Sequence, residues 1–505
     1  MNLLCKLYAV ALCLLAVACG SDDFYTDNTA ADLLSDITPV LKSATSSQIE
    51  LINDATFQKG FVVLDPASGD SAGVIQYTGS GETPVWNLAQ WYSSSSIAGC
   101  TPTVLSSGTY QYADANKAVT IGPESSDEGH LILAVNGLND FGGVYRSSSD
   151  PFPHLLADQR IAEPDGWLGI STPSVGEMTN LNFSVDVKLT YHARNESSGY
   201  DSDIHALQYN CVFLVQNLNQ SSSGYGKNMY FMSTIFDDRS SVPGMNIAED
   251  TYSDRLIYDI GLSPFSSTGL TVGTWKTLSA DLLPYIKDGL KEAWNRGYLT
   301  ESTSLNDYKV ALFTTGFECS GFNIGTMQVK NLSLTAERAI DYDGNIYHVV
   351  EIGGNTWMVE NYECTHFSDG TAITHYYHPD DTNHAYGPSY SWNDIKTTGF
   401  VPDGWHVATD AEWQALYDYV NGAGVKLKET GTNYWNTGNG NNDTGFSALG
   451  GAHIYGVALK SEANWWTADE NSTSEGLRWT VFDDGTMSSY ANSKSMYFPV
   501  RLVKD

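Results

Sequence analysis

The chain has 505 residues, 42% of them hydrophobic and 12% aromatic, enough to bury substantial cores in more than one domain. Its formal net charge of -33 argues against nucleic acid and anionic headgroups as partners, because phosphate binding needs clustered Lys and Arg. Only 17% of residues are charged, whereas Gly, Ser, Thr, Asn and Tyr abound, a balance common in secreted β-proteins that bind through hydrogen bonds and aromatic faces.

Residues 1–18, MNLLCKLYAVALCLLAVA, join one lysine to a short apolar run. That is signal-peptide length and too short to span a bilayer, so the segment is expected to be removed. Ala16, Val17 and Ala18 before Cys19 resemble the lipobox of bacterial lipoproteins, which implies an acylated Cys19 at the mature N-terminus. Two or more acyl chains anchor a protein stably, so the body is tethered to lipid and need not insert. The acidic start Gly20 to Asp23 resembles the export signal of surface lipoproteins in gut Bacteroidetes. It implies an outer-membrane protein exposed on the cell surface; the alternative is a polar spacer in a periplasmic lipoprotein. Residues 19–45, rich in Asp, Ser, Thr and Ala, read as the tether.

From 46 to 336 short alternating runs such as "GFVVLDP", "GHLILAVNG", "LNFSVDVKLTYHA", "NCVFLVQNL" and "MYFMSTIF" are separated by Gly, Pro, Asn and Ser clusters. Period-two alternation predicts strands of an antiparallel β-sandwich. "LLPYIKDGLKEAWNRGYL" switches to helical spacing, with Leu283, Ile286, Leu290 and Trp294 on one face. Strands resume in "YKVALFTTGFECSGFNIGTMQVKNLSLTA", and the whole region resembles the concanavalin-like jelly-roll lectins and glucanases.

From 337 to 505 tryptophan becomes dense and Gly-Trp and Asp-Gly pairs recur. "DYDGNIYHVVEIGGNTWMVEN", "GWHVATDAEW", "KLKETG", "TGFSALGG", "NWWTADE", "RWTVFDDG" and "FPVRLVKD" follow in order and resemble the Fibrobacter succinogenes major paralogous domain. The resemblance implies a surface module of C-type lectin-like, α+β fold, found on lipoproteins of polysaccharide-degrading bacteria. Usual members carry a cysteine just before the Gly-Trp-His block; here Val401 and Pro402 precede Asp403 and Gly404, which puts a structural cystine in doubt. In physical terms "DYDGNIY" supplies a hairpin turn, and Thr409 to Trp413 an N-cap and first helical turn. Trp413, Leu416, Tyr417 and Val420 then share a helix face. The expected fold class is mainly β, a jelly-roll sandwich followed by the lectin-like domain.

Enzymatic signatures are missing. Concanavalin-like glucanases often carry their two carboxylates on one strand as E-x-D-x-x-E, and no such motif occurs. Glu163 with Asp165, and Asp237 with Asp238, stand in turn-like text and read as solvated carboxylates. Zincin, nucleophile-elbow and Walker motifs are also absent. Cys100, Cys211, Cys319 and Cys364 lack C-x-x-C spacing, and the sequence does not pair them as disulfides.

Sugar binding asks for flat aromatic rings flanked by hydrogen-bonding groups. In "PVWNLAQWYSSSS" Trp86 is expected in the core and Trp91 with Tyr92 near the surface. Arg146, His154, Gln159, Arg160 and Trp167 fall in loop-bounded segments, and Tyr434 and Trp435 lie in the exposed-looking "GTNYWNTGNGNNDTG". Tyr376 and Tyr377 mark a second candidate loop, with Asp380 and Asp381. Trp357, Trp405, Trp413, Trp465, Trp466 and Trp479 lie inside the family blocks and read as core. The glycan-binding candidates are therefore Trp91, Tyr92, Trp167, Tyr434, Trp435, Tyr376 and Tyr377, with no catalytic residue and no metal ligand assigned.

No cofactor is expected. Calcium is the one candidate ion, at Asp341 with Asp343, Asp380 with Asp381 and Asp483 with Asp484, but none has EF-hand spacing and ordinary turns fit them better. The expected function is a surface lipoprotein that captures polysaccharide for an outer-membrane glycan transporter complex. An endo-acting glycanase or lyase with its site in the sandwich, and an adhesin, are the alternatives.

Overall fold

The computed structural model describes residues 47–77, 81–162, 172–250, 253–451 and 453–505. The leader, Cys19, the tether, Glu163, Asp165 and Trp167 lie outside the described residues. The chain divides into two compact units, one comprising Ile49–Val175 and Asn180–Ala336, the other Gly176–Thr179 and Glu337–Asp505. Among the described residues no helix is long and apolar enough to cross a membrane.

The first unit is a jelly-roll sandwich. Its front sheet runs Asn246–Asp250, Arg255–Asp259, Asn228–Asp237, Leu207–Asn217, Tyr308–Cys319, His154–Arg160, Trp86–Ala89, Phe61–Leu64 and Ser71–Ile75. Neighbours are antiparallel except where Asn228–Asp237 meets Arg255–Asp259 and Phe61–Leu64 meets Trp86–Ala89. The back sheet runs from Lys276–Asp281 through Met178–Ala193, Ile324–Ile340, Leu131–Asn136, Lys117–Ile121 and Tyr110–Ala113 to Thr103–Val104.

Alternation decides which side chains meet between the sheets. Phe183 from the back sheet stands edge-on to Phe213 of the front sheet at 5.2 Å between ring centroids, with Phe313 5.1 Å from Phe213. Trp86 is fully buried, as its place in the pattern predicts, and packs on Phe57 at 4.9 Å. The predicted helix forms over Leu283–Asn295 with Pro284 in its first turn, and buries Leu283, Ile286 and Leu290. Trp294 is half-buried, against Tyr308.

The front sheet departs from simple alternation. Strand Asn228–Asp237 is buried at every position, and Leu207–Asn217 and Tyr308–Cys319 at nearly every one. Its outer face is therefore a cleft floor rather than an open surface, with Val212, Leu214, Tyr230, Met232 and Ile257 forming an apolar cluster there.

In the second unit four strands, Val349–Ile352, Asn355–Met358, Leu502–Lys504 and Trp405–Val407, form one sheet. Two three-stranded sheets accompany it: His375–Tyr376, Ser389–Ser391 and Tyr497–Phe498, and Glu462–Glu470, Glu475–Phe482 and Met487–Ser493. The turn at Asp343 and Gly344 reverses the chain so that Ile340 pairs with Ile346, and Gly344 takes φ +88, a conformation glycine adopts without strain. All six tryptophans of the family blocks are buried, and Trp413 stacks on Trp465 at 5.0 Å. Four described cysteines are free thiols, Cys211, Cys319 and Cys364 buried.

Helix Asp410–Tyr419 starts where the sequence places it. Thr409 Oγ1 accepts from the Glu412 backbone N–H at 3.2 Å, and Glu412 accepts from the Thr409 N–H at 2.7 Å, a reciprocal capping box. Thr409→Ala is expected to cost about 1 kcal/mol, read as a lowered urea midpoint, whereas Thr409→Ser leaves the midpoint nearly unchanged.

Candidate functional site

Strand register assembles the cleft floor in rows. Asp237, Gln208, Glu318 and His154 stand side by side on four adjacent strands, and the His154 N–H donates to the Trp91 carbonyl at 3.0 Å at the end of that row. The next row holds Thr234, Asn210, Gly316 and Leu156, and the third Met232, Val212, Thr314, Asp158 and Asn87. Gly316 has no side chain, which leaves the middle row open between Asn210 and Leu156. The glycine is required: a Cβ there would lie 2.2 Å from the Leu155 carbonyl oxygen.

Four polar atoms on this floor are buried without a hydrogen-bond partner: Asn210 Oδ1, Thr314 Oγ1, Glu318 Oε2 and His154 Nδ1. Their residues are 1%, 1%, 4% and 6% exposed. An unpaired buried polar atom costs about 1–3 kcal/mol. Four on adjoining strands of one face are better explained as groups that await a ligand's or water's hydrogen bonds than as four separate defects.

Burial also governs the charges. It pushes the Glu318 carboxyl up to about 8, against a hydrogen bond from Asn210 and with the Asp259 carboxylate adding to the rise. Asp158 is pushed up to about 7 by burial despite its bond from Asn87 Nδ2 at 3.1 Å. Burial drives His154 down to about 4, so the imidazole is neutral. Asp259, also raised by burial, accepts from the Thr234 N–H at 3.0 Å, Thr234 Oγ1 at 2.8 Å and the Gly261 N–H at 2.8 Å.

At one end the floor opens into a cavity of about 200 Å³ lined by Gln208, Asn210, Met232, Thr234, Asp237 and Asp259, with Met245 exposed at its rim. Asp237, expected as a solvated turn carboxylate, is instead 5% exposed at the end of its strand. It is held bidentately by Arg239, Nε to Oδ1 at 2.9 Å and Nη2 to Oδ2 at 2.7 Å, and accepts from Gln208 Nε2 at 2.9 Å. Asp238, pushed up to about 6 by burial, accepts from Asn323 Nδ2 at 2.6 Å.

The structure brings some sequence candidates to this floor and removes others. Tyr92 is half-buried with its ring 6.5 Å from His154. Trp91, expected near the surface, is buried at 6% exposure beside Ala89 and Leu156, because the turn at Gly69 closes over its ring. Arg146 is buried and structural: its guanidinium donates to the carbonyls of Ser148, Asp150 and Ile204. Gln159 points the other way and bonds the Asn53 backbone, while Arg160 is exposed.

In the second unit Trp435 is fully buried, not exposed, and donates from Nε1 to the Ala448 carbonyl at 2.8 Å under the Lys428 ammonium. The Asn- and Gly-rich text around it folds back over the ring, as where the Asn436 N–H donates to the Lys460 carbonyl. Tyr434 is half-buried against Tyr386, and Tyr377 is stacked on His384 at 3.7 Å. Tyr376 alone of these is largely exposed, at 48%, with Tyr497 edge-on beside it.

The candidate calcium turns are occupied by backbone hydrogen bonds: Asp341 accepts from Asn345, Asp381 from Ala385 and Tyr386, Asp483 from Thr437 and Asp484 from Thr486. Among the described residues no group of three or more His, Cys, Asp or Glu side chains is placed to hold a metal ion.

Asn210, Thr314, Glu318 and Asp158 escaped the sequence reading. The signal was present as polar residues two or four apart in otherwise apolar strand text, "LQYNCVFLV" and "TTGFEC", which places them on one face.

Residues 350–504 match the Fibrobacter succinogenes major domain, so the second unit carries the domain its sequence blocks resemble. No curated protein matches the chain significantly. Among solved structures the chain is similar to endoglucanase cel12A from Rhodothermus marinus, at 12% identity over 50% of this chain and 99% of that one, TM-score 0.27. It is also similar to the family 12 xyloglucanase from Bacillus licheniformis, at 12% identity over 47% and 97%, TM-score 0.27. The family 11 xylanase from Neocallimastix patriciarum is similar at 8% identity over 46% and 94%, TM-score 0.24.

Proposed function

We propose that the sandwich binds a glycan along the floor of its front sheet and does not cleave it. The observation that carries this reading is the set of four buried, unpartnered polar atoms on one face, beside an apolar cluster and an open cavity. Sugar hydroxyls both donate and accept, and ring C–H faces are apolar, so one glycan chain meets both kinds of floor. Retaining hydrolysis needs two carboxyl groups about 5 Å apart. The cross-strand neighbours of Glu318 are Gln208 and His154, neither of them a carboxylate.

On this reading the acylated Cys19 anchors the protein to the outer membrane, exposed on the cell surface, and the tether gives the sandwich reach. Captured polysaccharide passes to a transporter complex. The test is affinity electrophoresis of residues 24–505 in gels containing plant, fungal or bacterial polysaccharides, with reducing-end release assayed alongside. Retardation without release is expected, and Asn210→Ala with Thr314→Val is expected to weaken it by 10-fold or more. Release of reducing ends would make the protein a glycanase, and silence in every gel would end the glycan reading.

A further inference from the structure

Glu318 is 4% exposed, and among the described residues no cation pairs with its carboxyl; Arg160 lies near Asp158. Its strand neighbours contribute Gln208 and Asn210 on one side and His154 and Asp158 on the other. Farther along the sheet stand Asp237 and Asp259. The near cation, Arg239, has its Nε and Nη2 engaged by Asp237. One Glu318 oxygen, Oε2, is buried and without a partner, and Asn210 Oδ1 on the adjoining strand is likewise an unmatched acceptor.

An ionised carboxylate in that setting would be an uncompensated buried charge among other acids. A protonated one is a donor without a partner in the protein, on the strand next to the unmatched acceptor of Asn210. We propose that Glu318 is a glycan-binding residue of the cleft: its carboxyl group donates a hydrogen bond from Oε2 to an oxygen of the glycan, a hydroxyl or ether. The inference rests on the glycan-binding reading above.

The position of Glu318 near pH 8 gives the proposal a readout that a packing role lacks. Burial puts His154 near 4 and Asp158 near 7 and raises Asp259 as well, so the Glu318 variants are what assign a pH dependence to Glu318. The neutral polysaccharide that retards the wild type is titrated against wild type, Glu318→Gln, Glu318→Ala and Asp158→Asn between pH 6 and 9.5, with near-ultraviolet circular dichroism verifying the fold at each pH. Wild type and Asp158→Asn are expected to lose affinity at least 10-fold between pH 7.5 and 9.5. Glu318→Gln, which keeps a neutral donor, is expected to bind within about 3-fold of wild type at pH 7 with a flat profile. Glu318→Ala loses 10-fold or more throughout.

A flat wild-type profile or a Gln variant as weak as the Ala variant would each overturn the proposal while leaving glycan binding intact. If the wild type binds no polysaccharide, both readings fall.

Discussion

Trp435→Ala is expected to destabilise the C-terminal unit by about 3–5 kcal/mol, the usual range for emptying a fully buried tryptophan site, and to leave glycan retardation by the folded protein unchanged. The ring is fully buried among Trp357, Trp413, Phe446 and Trp465 in one core. Its loss takes one of two donors from the Ala448 carbonyl, which keeps the Glu429 N–H, and uncovers the Lys428 ammonium, which lies 4.2 Å from the ring centroid. That ammonium is itself buried, held by Asn439 Oδ1 and Asp483, and burial already lowers its pKa. A wider space around it admits water and loosens the loop that it pins. Urea unfolding of the full chain followed by tryptophan fluorescence reads the effect as an early transition. Trp435→Phe, which restores most of the apolar volume, should recover more than half of the loss. If Trp435→Ala instead kept its urea profile and lost glycan affinity, the ring would be a binding platform after all, as its loop-like sequence suggested.

That contrast shows what the sequence could carry. The mainly β class was legible because alternation is a local property, visible in "GHLILAVNG" and realised as the strict in-out pattern of Leu131–Asn136. The C-terminal domain was legible because its blocks recur in order, and the Thr409 cap because capping needs only four consecutive residues. Trp435 was misjudged because Asn and Gly around it mark irregular backbone, and irregular backbone does not imply an exposed ring. The cleft was illegible for a different reason. Asn210 and Glu318 lie on adjoining strands more than a hundred positions apart in sequence, and whether their shared face is a floor or a surface depends on the loops and strands that shelter it. The glucanase motif sets two carboxylates on one strand, whereas this chain spreads its polar groups over four.

From about pH 4.5 to 8 the sandwich is expected to lose stability, most steeply below pH 6, and Glu318→Gln is expected to recover a good part of the loss at high pH. Burial holds the Glu318 carboxyl at about 8, Asp158 at about 7, and Asp54 and Asp238 at about 6. An unfolded chain releases all these protons near pH 4, so from there upward the folded state binds more protons and stability falls as pH rises. Each such group contributes about 1.4 kcal/mol per pH unit until its own folded value is passed. His154 acts in the opposite sense. Its folded value near 4 lies below the unfolded one, so it favours the folded state increasingly from pH 4 to about 6.5 and then contributes no further change. His154 offsets one of the four carboxyls, so the fall is steepest below pH 6 and shallower above 6.5, where Asp158 and Glu318 continue it, with Asp259 raised by burial as well. Glu318→Gln removes one of these while keeping a neutral donor of the same length, and should stabilise the protein at pH 8.5 by roughly 5 kcal/mol yet change little near pH 4.5. Urea midpoints of the two proteins at pH 4.5, 6.5 and 8.5 measure this directly, and parallel midpoints across the range would show that Glu318 ionises normally. A carboxyl that costs stability at the pH where the protein is least stable, on a face with four unmatched polar atoms, is better explained by what the cleft binds than by how the sheet folds.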